Sequence, residues 1–144
     1  MYAERIALPC LLPRTAEQDM AHQSRLAGFI IDCQDLPADA GAGFWAAALG
    51  LQAQAARVEG GAEYADLLGA PAGLNVEVQR VDHPSRVHLD IESDDIDAEA
   101  DRLEKLGARR IGFVKRWWVM EAPTGHRFCI VRMREREVPA NQWP

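Results

Sequence analysis

RVHLDIESDDIDAEADRLEKLGAR, residues 86–109, reads as a short strand, an acidic turn and an amphipathic helix that closes on Leu-Gly. Val87, Leu89 and Ile91 alternate with His88, Asp90 and Glu92, the period of a strand with one apolar and one polar face. Asp94 or Asp95 then offers an N-cap, and Ile96, Ala100, Leu103 and Leu106 recur at helical spacing until Gly107 ends the helix. Upstream, residues 26–51, LAGFIIDCQDLPADAGAGFWAAALGL, repeat the same order of apolar strand, acidic turn, helix and Leu-Gly. A shift of 60 places Gly28 on His88, Ile31 on Ile91 and Asp35 on Asp95, whereas a shift of 57 places Leu49-Gly50 on Leu106-Gly107. The first copy therefore carries about three extra residues, assigned to the Gly41–Gly43 stretch.

Each helix is followed by short strand signals. Leu51–Val58, Glu63–Leu68 and Leu74–Val81 follow the first, with a hairpin at Gly60-Gly61. Arg109–Phe113, Arg116–Glu121 and Arg127–Met133 follow the second, with a turn at Ala122-Pro123-Thr124-Gly125. The order is β-α-β-β-β, twice. An α+β fold follows, in which two βαβββ modules pair into a curved eight-stranded sheet around a central cleft. Residues 1–24 read as an N-terminal arm, 25–82 as module one, 85–134 as module two and 135–144 as a peripheral tail.

The 144 residues are enough for one domain, and 48% hydrophobic with 26% charged residues is ordinary for a globular protein. A net charge of −6 argues against nucleic acid or an anionic membrane as a partner. The arm has no signal-peptide pattern. Cys10, Cys33 and Cys129 form no disulfide framework, which fits a cytoplasmic protein. The apolar stretch Ile6–Leu12 leaves a homodimer open.

IIDCQD at 30–35, GFWAAALG at 43–50, SRVHLDIESDDIDAEADRLEKLGA at 85–108 and WVMEAPTGHRFCIV at 118–131 resemble the vicinal oxygen chelate superfamily. That group includes glyoxalase I, extradiol dioxygenases and bleomycin-resistance proteins. More narrowly, the chain resembles the glyoxalase-like domain proteins of many bacteria. The resemblance spans roughly residues 26–133 and implies the glyoxalase/bleomycin-resistance fold. It also implies metal ligands on the first and last strands of each module. His88 occupies one such position, Gly28 the equivalent in module one, Glu77 or Gln79 a third, and Cys129 the place of a usual glutamate. Gly125-His126 stands for the more usual Gly-Asn, and Ala122 for the Asp before Pro.

His88, Glu77 and Cys129 are thus the candidate metal set, incomplete at Gly28, which has no donor atom. A divalent metal remains open, and no other cofactor is expected. The expected ligand-binding cleft comprises His88, Asp90, Trp118 and Cys129. Asp90 shares a strand face with His88, so the two form either an acid/base pair or a structural pair in which Asp90 bonds Arg86 or backbone. Trp117 and Trp118 are adjacent on a strand, so one faces the cleft and the other faces away; Trp45 reads as core. Cys129 as a nucleophile needs a base and a lowered pKa. No catalytic residue is assigned.

Three functions follow. The first is a metal-free cleft protein binding a small organic molecule. The second is a divalent-metal-dependent lyase, isomerase or dioxygenase acting on vicinal oxygens. The third is an interaction module with a vestigial cleft.

Overall fold

A computed structural model describes residues 21–135 and 137–144. Module one contains β1 (His22–Gln34), α1 (Ala38–Leu49), β2 (Gln52–Ala53), β3 (Arg57–Glu59), β4 (Ala62–Leu68) and β5 (Asn75–Val81). Module two contains β6 (Arg86–Ser93), α2 (Ile96–Lys105), β7 (Arg109–Val114), β8 (Trp117–Glu121) and β9 (Arg127–Arg132), and β10 (Asn141–Trp143) follows. All ten strands join one mixed sheet, with the order β2-β4-β5-β1-β6-β9-β8-β7. The two modules are related through its centre. β1 runs antiparallel to β6, while β1 pairs β5 and β6 pairs β9 in the same parallel sense. Ile30 lies opposite Glu77 as Asp90 lies opposite Cys129, so the registers also correspond.

The sheet has ten strands where eight were expected, and three expectations need correction. The Leu51–Val58 strand is two short pieces, β2 and β3. Residues 51–56 hold no β-branched side chain to favour an extended run. Here Gln54 N–H donates to the Asp66 carbonyl (2.9 Å) and Ala56 N–H to Asp39 Oδ1 (2.7 Å). The arm ends earlier than expected, because His22, Gln23 and Ser24 already belong to β1; residues 1–20 lie outside the described residues. The tail is not peripheral. β10 pairs with the start of β1, Trp143 Nε1 donates to Ser24 Oγ (2.7 Å), and Arg102 lies 3.8 Å over the Trp143 ring.

Both helices cover one face of the sheet, each over its own core. Under α1 the core joins Ala38, Ala42 and Ala46 to Ile31, Cys33, Leu67, Val76 and Val78, with Trp45 packed against it as expected. Alanines four apart, with Gly41 beside them, let α1 approach closely: a Cβ on Gly41 would sit 2.9 Å from Val78 Cγ1 and 3.0 Å from Cys33 Sγ. Under α2 the core is Ile96, Ala100, Met120, Phe128 and Ile130. Asp95 caps α2, its Oδ1 accepting from Asp97 N–H (3.1 Å) and Ala98 N–H (3.0 Å). Gly50 ends α1 in the left-handed conformation at φ 68°. Among the described residues no helix is long and apolar enough to cross a membrane.

Candidate functional site

The sheet face away from the helices lines a cleft of about 590 Å³. Strand alternation decides which side chains reach it. β1 contributes Gly28, Ile30 and Asp32; β6 contributes Arg86, His88, Asp90 and Glu92. Glu77 and Gln79 come from β5, Tyr64 from β4, Cys129 from β9, and Trp117 with Val119 from β8. His88, Asp90 and Cys129 therefore share the cleft. Trp118 does not. Its Nε1 donates to Asp97 Oδ1 (2.8 Å) and its ring packs on Phe113 and the α2 core, so it faces the helix layer. Trp117 is the tryptophan on the cleft. The alternation was legible, but its phase was not: the register shift between Arg110 and Gly112 in the β7–β8 pairing lies outside any local sequence pattern.

His88 is held from across the module seam. Its Nδ1 lies 2.8 Å from Asp32 Oδ2, on a carboxylate that is only 2% exposed. Arg86 Nε (3.6 Å) and His83 Nε2 (3.9 Å) approach the same oxygen, and Asp32 Oδ1 has no hydrogen-bond partner among the described residues. With Nδ1 committed to Asp32, Nε2 is the nitrogen left to act, and Asp90 Oδ1 lies 3.7 Å from it. Arg86 is paired to Asp32, so the structural pairing of Asp90 with Arg86 is not the arrangement found. The seam carries a second ion pair, between Arg25 of β1 and Glu92 of β6.

Asp32 is the site residue that sequence reasoning missed. A signal existed: an acid inside an otherwise apolar strand needs a partner to be buried. Arg57 was missed too. It pairs with Glu77 and with Asp66 (Nη1–Oδ2 3.0 Å), and its guanidinium lies 5.4 Å over the Tyr64 ring. Nothing in the sequence near Arg57 marks it, because its partners come from β4 and β5.

The cleft crowds acidic groups. Burial, with Asp32 nearby, pushes the Asp90 carboxyl up to about 6, although His88 and Arg134 pull it down. Burial, with Asp90 and Asp32, pushes the Cys129 thiol up to about 12. A thiol so placed stays protonated at neutral pH and is a poor nucleophile. Burial also pushes Glu77 up to about 7 against the opposing pull of Arg57.

The donors do not match the divalent-ion ligand set that the resemblance implies. Gly28 lacks a donor, and it has no room for one: a Cβ there would overlap the Asn75 carbonyl oxygen. Glu77, expected as a ligand, is taken up by Arg57 and does not converge with His88 and Cys129. The donor atoms that do converge are those of His88, Asp90 and Cys129, within 4.8 Å of one another and all in module two.

A glyoxalase-like domain model matches residues 28–131. No curated protein sequence matches the chain. Among solved structures, it is similar to a methylmalonyl-CoA epimerase in complex with methylmalonyl-CoA. The two are 20% identical, with 81% of this chain and 99% of that one covered and a TM-score of 0.59. The Mycobacterium tuberculosis methylmalonyl-CoA epimerase is 16% identical, with 77% and 89% covered and a TM-score of 0.56. A Streptomyces coelicolor epimerase variant holding 2-nitronate-propionyl-CoA is 19% identical, with 78% and 99% covered and a TM-score of 0.56. These identities speak for a shared fold. With the family model spanning both modules, the chain belongs to the glyoxalase-like domain family of the vicinal oxygen chelate superfamily.

Proposed function

We propose that this chain binds a small organic molecule in the seam cleft, without the two-module metal centre of its superfamily. The observation that carries this reading is the fate of the module-one donors. One is a glycine with no space for a side chain, and the other is neutralised by Arg57. What remains is a cleft of about 590 Å³, within the size of small-ligand sites, with a few fixed polar groups among Ile30, Val119 and Trp117. His88 and Asp90 offer hydrogen bonds to oxygen or nitrogen atoms of the ligand, and Asp32 fixes the His88 ring. Two of the similar solved structures hold CoA thioesters, which supports small-molecule binding in this fold.

The test is titration with a panel of small aromatic and dicarbonyl compounds, read by Trp fluorescence and melting temperature. A saturable response that weakens in His88→Ala is expected. No response to any compound would overturn the reading.

A second reading rests on the convergence of His88, Asp90 and Cys129 within 4.8 Å. A His/Asp/Cys set suits a zinc-like ion, which would draw the proton off Cys129. Elemental analysis of protein purified without chelator or a metal-affinity tag separates the readings. Stoichiometric metal that disappears in Cys129→Ser would replace the first reading with this one.

A further inference from the structure

The cleft reverses the charge of the protein that contains it. The chain carries sixteen Lys and Arg against twenty-two Asp and Glu. Among the described residues, eight of those cations line the cleft against six of the acids. The acids are also largely answered from within. Asp32 faces His88 and Arg86, Glu77 faces Arg57, and Glu92 faces Arg25. Glu59 lies 3.7 Å from Arg57 and 3.9 Å from Arg116.

The surplus cation gathers at one end. A smaller hollow of about 170 Å³ is lined by Arg116, Val131, Arg132, Met133 and Arg134. All of these but Met133 also line the main cleft, so the two spaces share a wall. The Arg134 side chain forms no hydrogen bond or ion pair with the described residues, and the Arg116 side chain has only the long contact to Glu59. Glu135 also lines the cleft and Asp90 feels the Arg134 charge, so the cluster is not free of opposing acid. Guanidinium groups without fixed carboxylate partners are suited to a planar or tetrahedral oxyanion, which they grip through paired N–H donors.

We propose that the Arg116–Arg134 end of the cleft holds the carboxylate or phosphate of an anionic small molecule whose uncharged portion lies toward His88. This deepens the small-molecule reading and rests on it. Electrostatic focusing by the cleft would draw such an anion to a protein that otherwise repels it.

The experiment titrates the full chain with inorganic phosphate and with succinate, against sodium chloride at matched ionic strength. Melting temperature and Trp fluorescence are the readouts. The expected result is a saturable rise in melting temperature beyond chloride with at least one of the two probes. A preference for phosphate or for succinate identifies which oxyanion the site takes. In an Arg116→Ala/Arg134→Ala double variant, affinity should fall at least about tenfold, since two charge-assisted hydrogen-bonding groups are lost. Both side chains are exposed, so the variant should melt close to wild type without added anion. Responses to both probes that chloride reproduces, or equal affinity in the double variant, would overturn the proposal. Uncharged panel compounds keep its failure distinct from failure of the cleft reading. If they bind and lose affinity in His88→Ala while both anions do not bind, the cleft reading stands and this inference falls.

Discussion

Where module two places His88 on β6, module one has Gly28 on β1 pressed against the Asn75 carbonyl. The matched registers extend the comparison: Ile30 corresponds to Asp90, and Glu77 to Cys129. At these positions module one therefore presents no side-chain donor from β1 and a carboxylate already paired with Arg57. Module two presents the three donors that converge. The helices diverge as well. The shift of 57 aligns buried Ala42 of α1 with Glu99 of α2, a carboxylate that is fully buried. Glu99 accepts from Ser24 Oγ (2.9 Å) and from Arg102 Nε (2.8 Å), and it contacts His22 Nε2 (2.6 Å). The two modules share one frame, but the converging donors sit in module two, with Asp32 as module one's contribution beside them.

The largest expected effect tests this helix difference. Glu99→Ala makes α2 resemble α1 at that position, yet it removes the carboxylate that Arg102 and the buried His22 contact. Loss of one member of a buried charged network costs about 3–5 kcal/mol, so the melting temperature should drop sharply. A loss below about 1 kcal/mol would show that module two needs no more polar support than module one. The pH dependence has a definite sign. Burial alone would raise the Glu99 pKa, but hydrogen bonds from Arg102, His22 and Ser24 outweigh it and hold the group below the usual glutamate range. Its contribution is therefore present above the unfolded glutamate pKa and is lost as pH falls through the lower folded one. In Glu99→Ala, acid denaturation should lose that component.

Next comes Gly28→Ala. The added methyl meets backbone, which cannot rotate away, so β1 and β5 must separate. Overpacking of this kind costs about 3 kcal/mol. The comparison breaks if Gly28→His folds normally, since module one would then be open to a second donor.

His88→Ala should have a smaller effect, about 1–2 kcal/mol, because Asp32 loses its nearest partner and keeps only the longer contacts to Arg86 and His83. Adding Asp32→Asn to His88→Ala should recover part of that loss, since a buried amide is less costly than an unpaired carboxylate. A double-mutant cycle by chemical denaturation measures the coupling. Additive losses would mean that the seam pair is weak and that His88 is positioned by something else.

The repeat, both helices, most strands and the inward face of β6 were all legible, because each follows from local periodicity and capping. Asp95 was among the two caps expected, and Gly50 and Gly107 stop the helices. What could not be read came from contacts distant in sequence. Asp32 meets His88 across 56 positions, and Arg57 meets Glu77 across 20. β10 joins β1 from the far end of the chain, and no local pattern announces that pairing. Trp118 shows a finer failure: two adjacent tryptophans guarantee opposite faces, but the phase depends on the strand's register with its neighbours.

That phase gives the smallest and most discriminating prediction. Trp117→Phe removes cleft wall, while Trp118→Phe removes the hydrogen bond to Asp97 and contact with the α2 core. Trp118→Phe should cost about 1 kcal/mol and leave the ligand affinities of the cleft unchanged. Trp117→Phe should change stability by no more than about 0.5 kcal/mol, yet remove most of the ligand-dependent fluorescence change. If Trp118→Phe instead abolished the fluorescence response, the ligand would have to lie on the helix side, and the contrast between the two modules' cleft donors would lose its functional meaning. A response retained by both variants would point to Trp45 or Trp143, and so to coupling between the cleft and the helix layer. The two single substitutions, compared with wild type under one ligand, therefore ask which face of β8 the ligand meets.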